Sequence, residues 1–264
     1  MFIFQSVLFF LIYPLTGSIN SVQEIHYNKT PAQLENNWSF ILDKYLQQGV
    51  IGDVNEFDYR RLKKNTQDKK ILDNYLLSLE SINTKILSNN KAIAHYANLY
   101  NAVTVKLITD NYPIKSIRKL GPLNSGPWKR KIIKLNGELV SLDDIEHKIL
   151  RSQYLSPYIH YMLNCASISC PNLQATPWKA DSLEADQLTA ATEYINSSRA
   201  VTLKKNGLRL SSIYKWFKED FENDGGVLDH ILKHANKDLK NAIKKGVKIK
   251  SYNYDWTLND VTDN

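Results

Sequence analysis

The chain has 264 residues and a formal net charge of +7 at pH 7, with 43% hydrophobic and 23% charged residues. This composition is typical of a globular domain with a sizeable core, and no long polar tract interrupts the chain. Two cysteines alone cannot form a structural zinc site, and neither a metal nor another cofactor is expected.

The positive charge would suit an anionic surface or an acidic polymer. Most lysines are scattered, but one C-terminal group is typical of a solvated helix face that continues into an edge strand. That group consists of Lys237, Lys240, Lys244, Lys245, Lys248 and Lys250. Aromatic residues are not interleaved with these lysines, and no nucleic-acid recognition motif is present. Nucleic acid is therefore not expected as a partner.

The N-terminus carries an apolar run from Phe2 to Leu15, and the first basic residue is Lys29. A run of about 14 residues is shorter than the roughly 20 that span a bilayer, so no transmembrane anchor is expected. Small residues follow at positions 16–18. Residues 1–18 are predicted to be a secretory signal peptide and residues 19–264 a single domain, exported to the periplasm or secreted. The alternative is a buried N-terminal helix.

Helical patterns dominate the first half of the chain. The first helix begins at Thr30-Pro31 and has one apolar stripe, the second spans Gln67 to Ile82, and the third, the most apolar, spans Lys91 to Asp110. The segment from Gly49 to Asp58 is predicted to be a loop. Further helices are expected from Ser182 to Ile195 and, with a break at two glycines, from Ser212 to Lys244.

Strands are expected mainly as hairpins around the Asn-Gly dipeptides at positions 136–137 and 206–207, which favour type I′ turns. Ser141 and Asp144 have the spacing of a capping box that opens a short helix through Ile149. Tyr158 to Leu163 is predicted to be a buried strand. The class is therefore α+β, predominantly helical with a small antiparallel sheet built from hairpins.

The segment that follows the predicted strand concentrates thiols and hydroxyls around Cys165 and Cys170. Either cysteine could be a nucleophile beside an imidazole, and a helix begun at Pro171 would favour a Cys170 thiolate. The alternative is a disulfide, or buried thiols that shape a loop. His160 precedes Cys165 by five positions and would point to the opposite face of a strand, which leaves His147 as the better base.

Two pairs of polar residues complete the candidate site. Asn98 and Asn101 lie three positions apart in the most apolar helix, where they form either a structural hydrogen-bond hub or polar groups presented to a site. Glu146 and His147 lie on the short capped helix and could serve as polar support and general base. An ordinary surface helix is the alternative for this second pair.

Several ordered motifs together resemble the domain of unknown function 547 family. They are His95–Val105, Asp110–Pro113 with Ser116–Arg118, Leu142–Arg151, His160–Pro171, Tyr214–Phe217 with Asp220-Phe221, and Tyr254–Asn259. The likeness covers most of the chain from about residue 35 onward. Family members often have Phe-Trp-Ile where this chain has His95-Tyr96-Ala97, a local change from apolar bulk to polar groups.

The resemblance implies a set of Cys, His and Asn or Glu residues similar to that of papain-like and transglutaminase-like thiol hydrolases. It also suggests that the layout of the fold is similar to theirs. Cys165 would be the nucleophile, His147 the base, Glu146 or Asn98 the orienting group, and amides at 166–169 an oxyanion site. Cys170 would be a second-choice nucleophile or a redox partner. Candidate substrate-binding residues are Asn101, His160, Ser167, Ser169 and Cys170.

Three functions follow from these residues. The first is a thiol-dependent hydrolase or acyltransferase that acts on amide or thioester bonds of a small molecule or peptide. The second is a non-catalytic exported module that binds a peptide, a glycan or a protein partner. The third is a redox protein that cycles a bond between Cys165 and Cys170. The sequence specifies neither the substrate nor the oligomeric state.

Overall fold

A computed structural model of the protein describes residues 31–51 and 54–261. The predicted signal peptide, residues 1–18, lies outside these ranges. Within them, no helix combines the length and the apolar character that crossing a membrane requires.

The first helix, α1 (Pro31–Tyr45), leads into an antiparallel hairpin of β1 (Leu46–Ile51) and β2 (Val54–Phe57). The prediction of a loop from Gly49 to Asp58 is therefore wrong. All four side chains of β2 are buried, so the alternation of polar and apolar residues that marks a half-buried strand is missing. In β1 the register of the pairing is irregular between Gln47 and Ile51, so the alternation expected for a strand is missing there as well.

Three helices follow: α2 (Tyr59–Lys64), α3 (Thr66–Glu80) and α4 (Asn89–Asn111). Side-chain caps start the first two, since Asp58 accepts from the Arg61 amide at 2.8 Å and Asn65 accepts from the Asp68 amide at 3.0 Å. α4 is buried continuously from Ala92 to Val105, and α2 and α3 pack on it. A helix that is apolar on all sides lies inside a domain, and α4 is the central helix of this fold.

The second hairpin joins β3 (Ile133–Leu135) to β4 (Glu138–Val140). Asn136 and Gly137 have φ values of 49° and 88°, the two positive angles of the predicted type I′ turn. A π-helix then spans Asp144–Arg151 and continues into α5 (Ser152–Tyr154). Ser141 and Asp144 exchange the predicted capping bonds, because the Ser141 amide donates to Asp144 at 2.8 Å and the Asp144 amide donates to Ser141 at 3.1 Å.

Asp144 is expected to be a large local contributor to stability. Lys131, Lys148 and Ser141 donate hydrogen bonds to its carboxylate, and they hold the pKa of Asp144 well below its ordinary value. Asp144→Ala should therefore lower the free energy of unfolding by about 1–3 kcal/mol at pH 7. Because the folded-state pKa is depressed, this contribution is fully present above about pH 4 and is lost as the pH falls further.

Urea unfolding of both proteins at pH 7 and at pH 3 tests this prediction. The matched control is Asp143→Ala, since Asp143 makes no capping bond and its carboxylate lies 3.6 Å from His147. An equal loss of stability in both variants, or a loss that does not shrink at pH 3, would contradict the capping role.

The segment predicted as a strand from Tyr158 to Leu163 contains the short helix α6 (Ile159–Met162), so that prediction is wrong. A short apolar run does not distinguish a strand from a buried helical turn. The amides of Ile159 and His160 bond back to Ser156 and Pro157, both at 3.3 Å. No helix begins at Pro171: the chain from there to α7 (Leu183–Ile195) is irregular, and no helix dipole acts on Cys170.

The C-terminal part contains β5 (Val201–Lys204), β6 (Gly207–Ser211), α8 (Ile213–Trp216), a 3-10 helix (Lys218–Asp224), α9 (Val227–His234), α10 (Lys237–Lys244) and β7 (Ile249–Asn253). β5 and β6 form the predicted hairpin, and β7 joins β6 in parallel. This sheet is therefore mixed, whereas only antiparallel pairs were predicted. A parallel neighbour needs a long connection, which α8 to α10 supply. The α+β class is confirmed.

Candidate functional site

A cavity of about 740 Å³ opens where α4, the π-helix, α6, α8 and the C-terminal segment meet. Its volume is within the range of small-molecule sites. The lining residues are Tyr100, Pro122, Ser125, Gly126, Trp128, Lys129, Arg130, Asp143, Glu146, His147, His160, Leu163, Cys165, Cys170, Ile213, Trp216, Phe217, Tyr254 and Trp256. The structure thus brings five sequence-predicted candidates to one cavity.

The loop that carries the two cysteines is held by buried amide side chains. Asn101 donates to the Met162 carbonyl at 2.9 Å and accepts from the Asn164 amide at 2.8 Å. Asn164 in turn accepts from the Ala166 amide at 2.9 Å and donates to the Pro171 carbonyl at 2.7 Å. Each of these buried polar groups is paired, so the backbone on both sides of Cys165 has a defined position.

Residues 254–259, the C-terminal segment, pair with the other side of this loop. The amides of Ile168 and Ser169 donate to the carbonyls of Thr257 and Asp255 at 2.8 and 3.2 Å, and the Asn259 amide donates to the Ala166 carbonyl at 3.3 Å. This short antiparallel pairing places Tyr254 next to Cys165 although 89 positions separate them.

Cys165 is half-buried and has a free thiol. Its sulfur lies 3.1 Å from the Tyr254 hydroxyl, 3.3 Å from the Ser167 hydroxyl and 2.9 Å from the Cys170 sulfur. Burial acts to raise the pKa of Cys165, but the hydrogen bonds from Cys170, Ser167 and Tyr254 outweigh it, so the pKa is lowered. A thiolate at this position is therefore stabilised by donors rather than by a cation.

Cys170 is the protonated partner of this pair. Burial and the neighbouring Cys165 sulfur raise the pKa of Cys170 well above its ordinary value. The Cys165 amide donates to the Cys170 sulfur at 2.9 Å, and the Leu163 carbonyl lies 3.6 Å from it. The Cys170 thiol is therefore best placed to donate to Cys165 and is a poor nucleophile itself.

His147 lines the cavity, but both of its nitrogens already face protein groups. Nδ1 lies 2.8 Å from Nη1 of Arg151, and Nε2 lies 3.6 Å from the carboxylate of Asp143. A guanidinium can only donate, so Nδ1 is the acceptor and the proton of the neutral ring is on Nε2. His147 therefore has no free lone pair with which to accept a proton from Cys165.

His160, unlike His147, has a carboxylate rather than a guanidinium as its hydrogen-bond partner. Its Nε2 lies 2.7 Å from Asp220, and Arg151 holds the same carboxylate through two bonds of 2.5 and 2.9 Å. Burial acts to raise the pKa of Asp220, but the bonds from His160 and Arg151 prevail and keep it well below its ordinary value. Since Asp220 is ionised, His160 donates from Nε2, and in the neutral ring Nδ1 carries the lone pair.

The ring of His160 is also fixed in orientation. It stacks on Phe217 with a centroid distance of 4.3 Å, and its side chain is almost fully buried. Among the described residues, Nδ1 of His160 has no hydrogen-bond partner. No imidazole nitrogen is within hydrogen-bonding distance of the Cys165 sulfur in the part of the chain that the structure describes.

Other predicted site residues make structural hydrogen bonds, and of these Asn98 and Ser169 do not line the cavity. Asn98 exchanges two hydrogen bonds with the backbone of Trp178, so it does not orient His147, and Asn98 and Asn101 form the structural hub. Ser169 accepts from the Asp255 amide at 2.7 Å, which is a structural contact. Glu146 accepts from the Tyr100 hydroxyl at 3.2 Å rather than contacting His147.

Three of the four amides predicted to form an oxyanion site are already engaged. The amides of Ala166, Ile168 and Ser169 donate to protein acceptors, so only the Ser167 amide stays a prediction. The hydroxyl of Tyr254 is a better candidate, because it lies 3.1 Å from the Cys165 sulfur and can donate its proton there.

Sequence reasoning missed Tyr100, Arg151, Asp220 and Tyr254 as site residues. All four lie within the stretches that carry the family resemblance. That signal could have singled them out, but the tertiary structure brings Tyr100 and Tyr254 to the cavity and places Arg151 and Asp220 behind His160. Among the described residues, no group of three or more His, Cys, Asp and Glu side chains could hold a metal ion.

Comparisons with known proteins agree with the resemblance. Residues 84–195 match the family model described as "Protein of unknown function, DUF547". No curated protein and no solved structure matches the chain, and the papain-like or transglutaminase-like layout stays a prediction. The matched segment includes both cysteines, His147 and His160, whereas Asp220 and Tyr254 follow it in the chain. The predicted resemblance to this family is therefore confirmed over residues 84–195.

Proposed function

We propose that the protein is an exported thiol-dependent hydrolase or acyltransferase that acts on amide or thioester bonds. The carrying observation is that Cys165, a half-buried thiol with a lowered pKa, lines the same cavity as a His160 ring held by Asp220. Nucleophile, base and orienting carboxylate are the parts that acyl transfer requires.

In this proposal Cys165 attacks the substrate carbonyl and its proton passes to Nδ1 of His160, through one water molecule in the cavity. The Tyr254 hydroxyl donates to the oxyanion that forms. The bond to the leaving amine or thiol breaks, and His160 returns the proton to that group. Water, or another acceptor nucleophile, then cleaves the thioester to Cys165 after losing its proton to His160, and the sulfur regains a proton.

The test is a covalent acyl-enzyme intermediate. Native protein mixed with p-nitrophenyl hexanoate and quenched in acid is expected to gain the mass of one hexanoyl group, which peptide mapping places on Cys165. Cys165→Ala should gain none at any site in the cavity. Cys170→Ala is the matched control and should still acylate, because Cys170 is the protonated neighbour. Acylation of Cys165→Ala at the native rate would refute the proposal.

A redox function is the second candidate, and it is favoured by the distance of 2.9 Å between the sulfurs of Cys165 and Cys170. A small-molecule disulfide could oxidise the pair: each thiol loses a proton, the pair gives up two electrons, and the oxidant becomes two thiols. Export would make this relevant, since disulfides persist in oxidising compartments. In a redox function Cys170→Ala is as damaging as Cys165→Ala, whereas in acyl transfer only the latter abolishes the adduct.

A further inference from the structure

The outer wall of the cavity is built from three tryptophans. Trp256 lies 5.5 Å from Trp128 and 5.8 Å from Trp216 between ring centroids, and Tyr254 lies 4.9 Å from Trp216. Trp216 is 48% exposed, an unusual position for so large an apolar side chain. Gly126 allows this packing, because a Cβ atom there would lie 1.9 Å from the Trp128 ring.

Leu163, Ile213 and Phe217 add apolar side chains to the lining of the cavity. The two acidic ones are already engaged, since Glu146 accepts from Tyr100 and Asp143 faces His147. The surface that the tryptophans form with these apolar side chains suits an apolar chain.

Two cations lie at the rim. Lys129 and Arg130 line the cavity and are exposed, and neither is in an ion pair among the residues that the structure describes. Their neighbour Lys131, in contrast, pairs with Asp144. Two unpaired cations beside an apolar cavity are complementary to an anionic group attached to an apolar chain.

From this arrangement we infer the substrate class: an amphiphilic acyl donor whose linear acyl chain lies along the tryptophan wall and whose leaving portion carries an anionic group that reaches Lys129 and Arg130. The inference rests on the proposed function for the position of the scissile bond at Cys165. The binding part of it stands on the cavity alone, and the two are separable by experiment.

The test measures binding to the full Cys165→Ala chain by tryptophan fluorescence, since three of the five tryptophans line the cavity. The probes are N-acylglycines from hexanoyl to dodecanoyl, used below micelle formation, with the uncharged N-acylglycinamides and maltohexaose as comparators. Affinity should rise up to about fourfold per added methylene. Each N-acylglycine should bind about five- to tenfold more tightly than its uncharged amide.

Variants in the Cys165→Ala background separate the two contacts. Trp216→Ala should weaken all N-acyl probes, and Lys129→Gln with Arg130→Gln should remove only the preference for the charged probe. Lys237→Gln with Lys245→Gln, two exposed lysines that do not line the cavity, is the control and should change nothing. Affinity that does not depend on chain length, equal binding of charged and uncharged probes, or preference for maltohexaose would overturn the inference. Strong binding of the probes, together with a native chain that forms no hexanoyl adduct on Cys165, would instead overturn the proposed function alone.

Discussion

His160→Gln is expected to lower turnover of an acyl thioester by about 10²- to 10⁴-fold, the range for loss of a general base. Glutamine can still donate a hydrogen bond to Asp220, but it has no basic nitrogen to replace Nδ1 of His160. The loss should therefore fall on kcat, with the folded structure retained. Steady-state kinetics with a chromogenic thioester assay, together with a thermal unfolding curve, measures both quantities.

The matched control is His147→Gln, which removes the other imidazole of the cavity. We expect a much smaller loss, because both nitrogens of His147 already face Arg151 and Asp143. Asp220→Asn should resemble His160→Gln, since it removes the charge that sets the tautomer of His160. If His147→Gln caused the larger loss, the assignment of the base to His160 would be wrong.

Tyr254→Phe is expected to raise the pKa of Cys165. The hydroxyl of Tyr254, 3.1 Å from the sulfur, is one of the donors that lower this pKa. A hydrogen bond to a charged group contributes about 1.5–3 kcal/mol, which corresponds to a shift of about one to two pH units. The measurement is the alkylation rate of Cys165 against pH, followed by mass spectrometry with Cys165 and Cys170 counted separately.

The native protein should show Cys165 alkylated at a pH where Cys170 is still unreactive, because burial and Cys165 itself raise the pKa of Cys170. Tyr252→Phe is the control, an exposed tyrosine two positions away on β7. An unchanged pH profile for Cys165 in Tyr254→Phe would refute the donor role of the hydroxyl. Resistance of both cysteines until reduction would favour the disulfide and the redox function.

Local interactions explain which elements were predictable. Capping at Ser141 and Asp144, the Asn136-Gly137 turn and the apolar composition of α4 act over a few neighbouring residues, and all three are confirmed. The same local signals failed where a short segment is buried on all sides, as in β2 and α6. There the tertiary contacts, rather than propensity, select the conformation.

The candidate nucleophile and the family could be predicted from the sequence because Cys165 and its flanking motifs are adjacent in the chain. The base could not, because the choice between His147 and His160 depends on which nitrogen faces Arg151 and which faces Asp220. By itself the sequence determined the α+β class, the resemblance to the DUF547 family over residues 84–195 and the cysteine-bearing loop. Only the tertiary structure decided that Tyr254 and the tryptophan wall complete the cavity and that Asp220 holds His160. The hydrogen bonds at this site join residues 46, 60 and 89 positions apart, which only long-range packing can bring together.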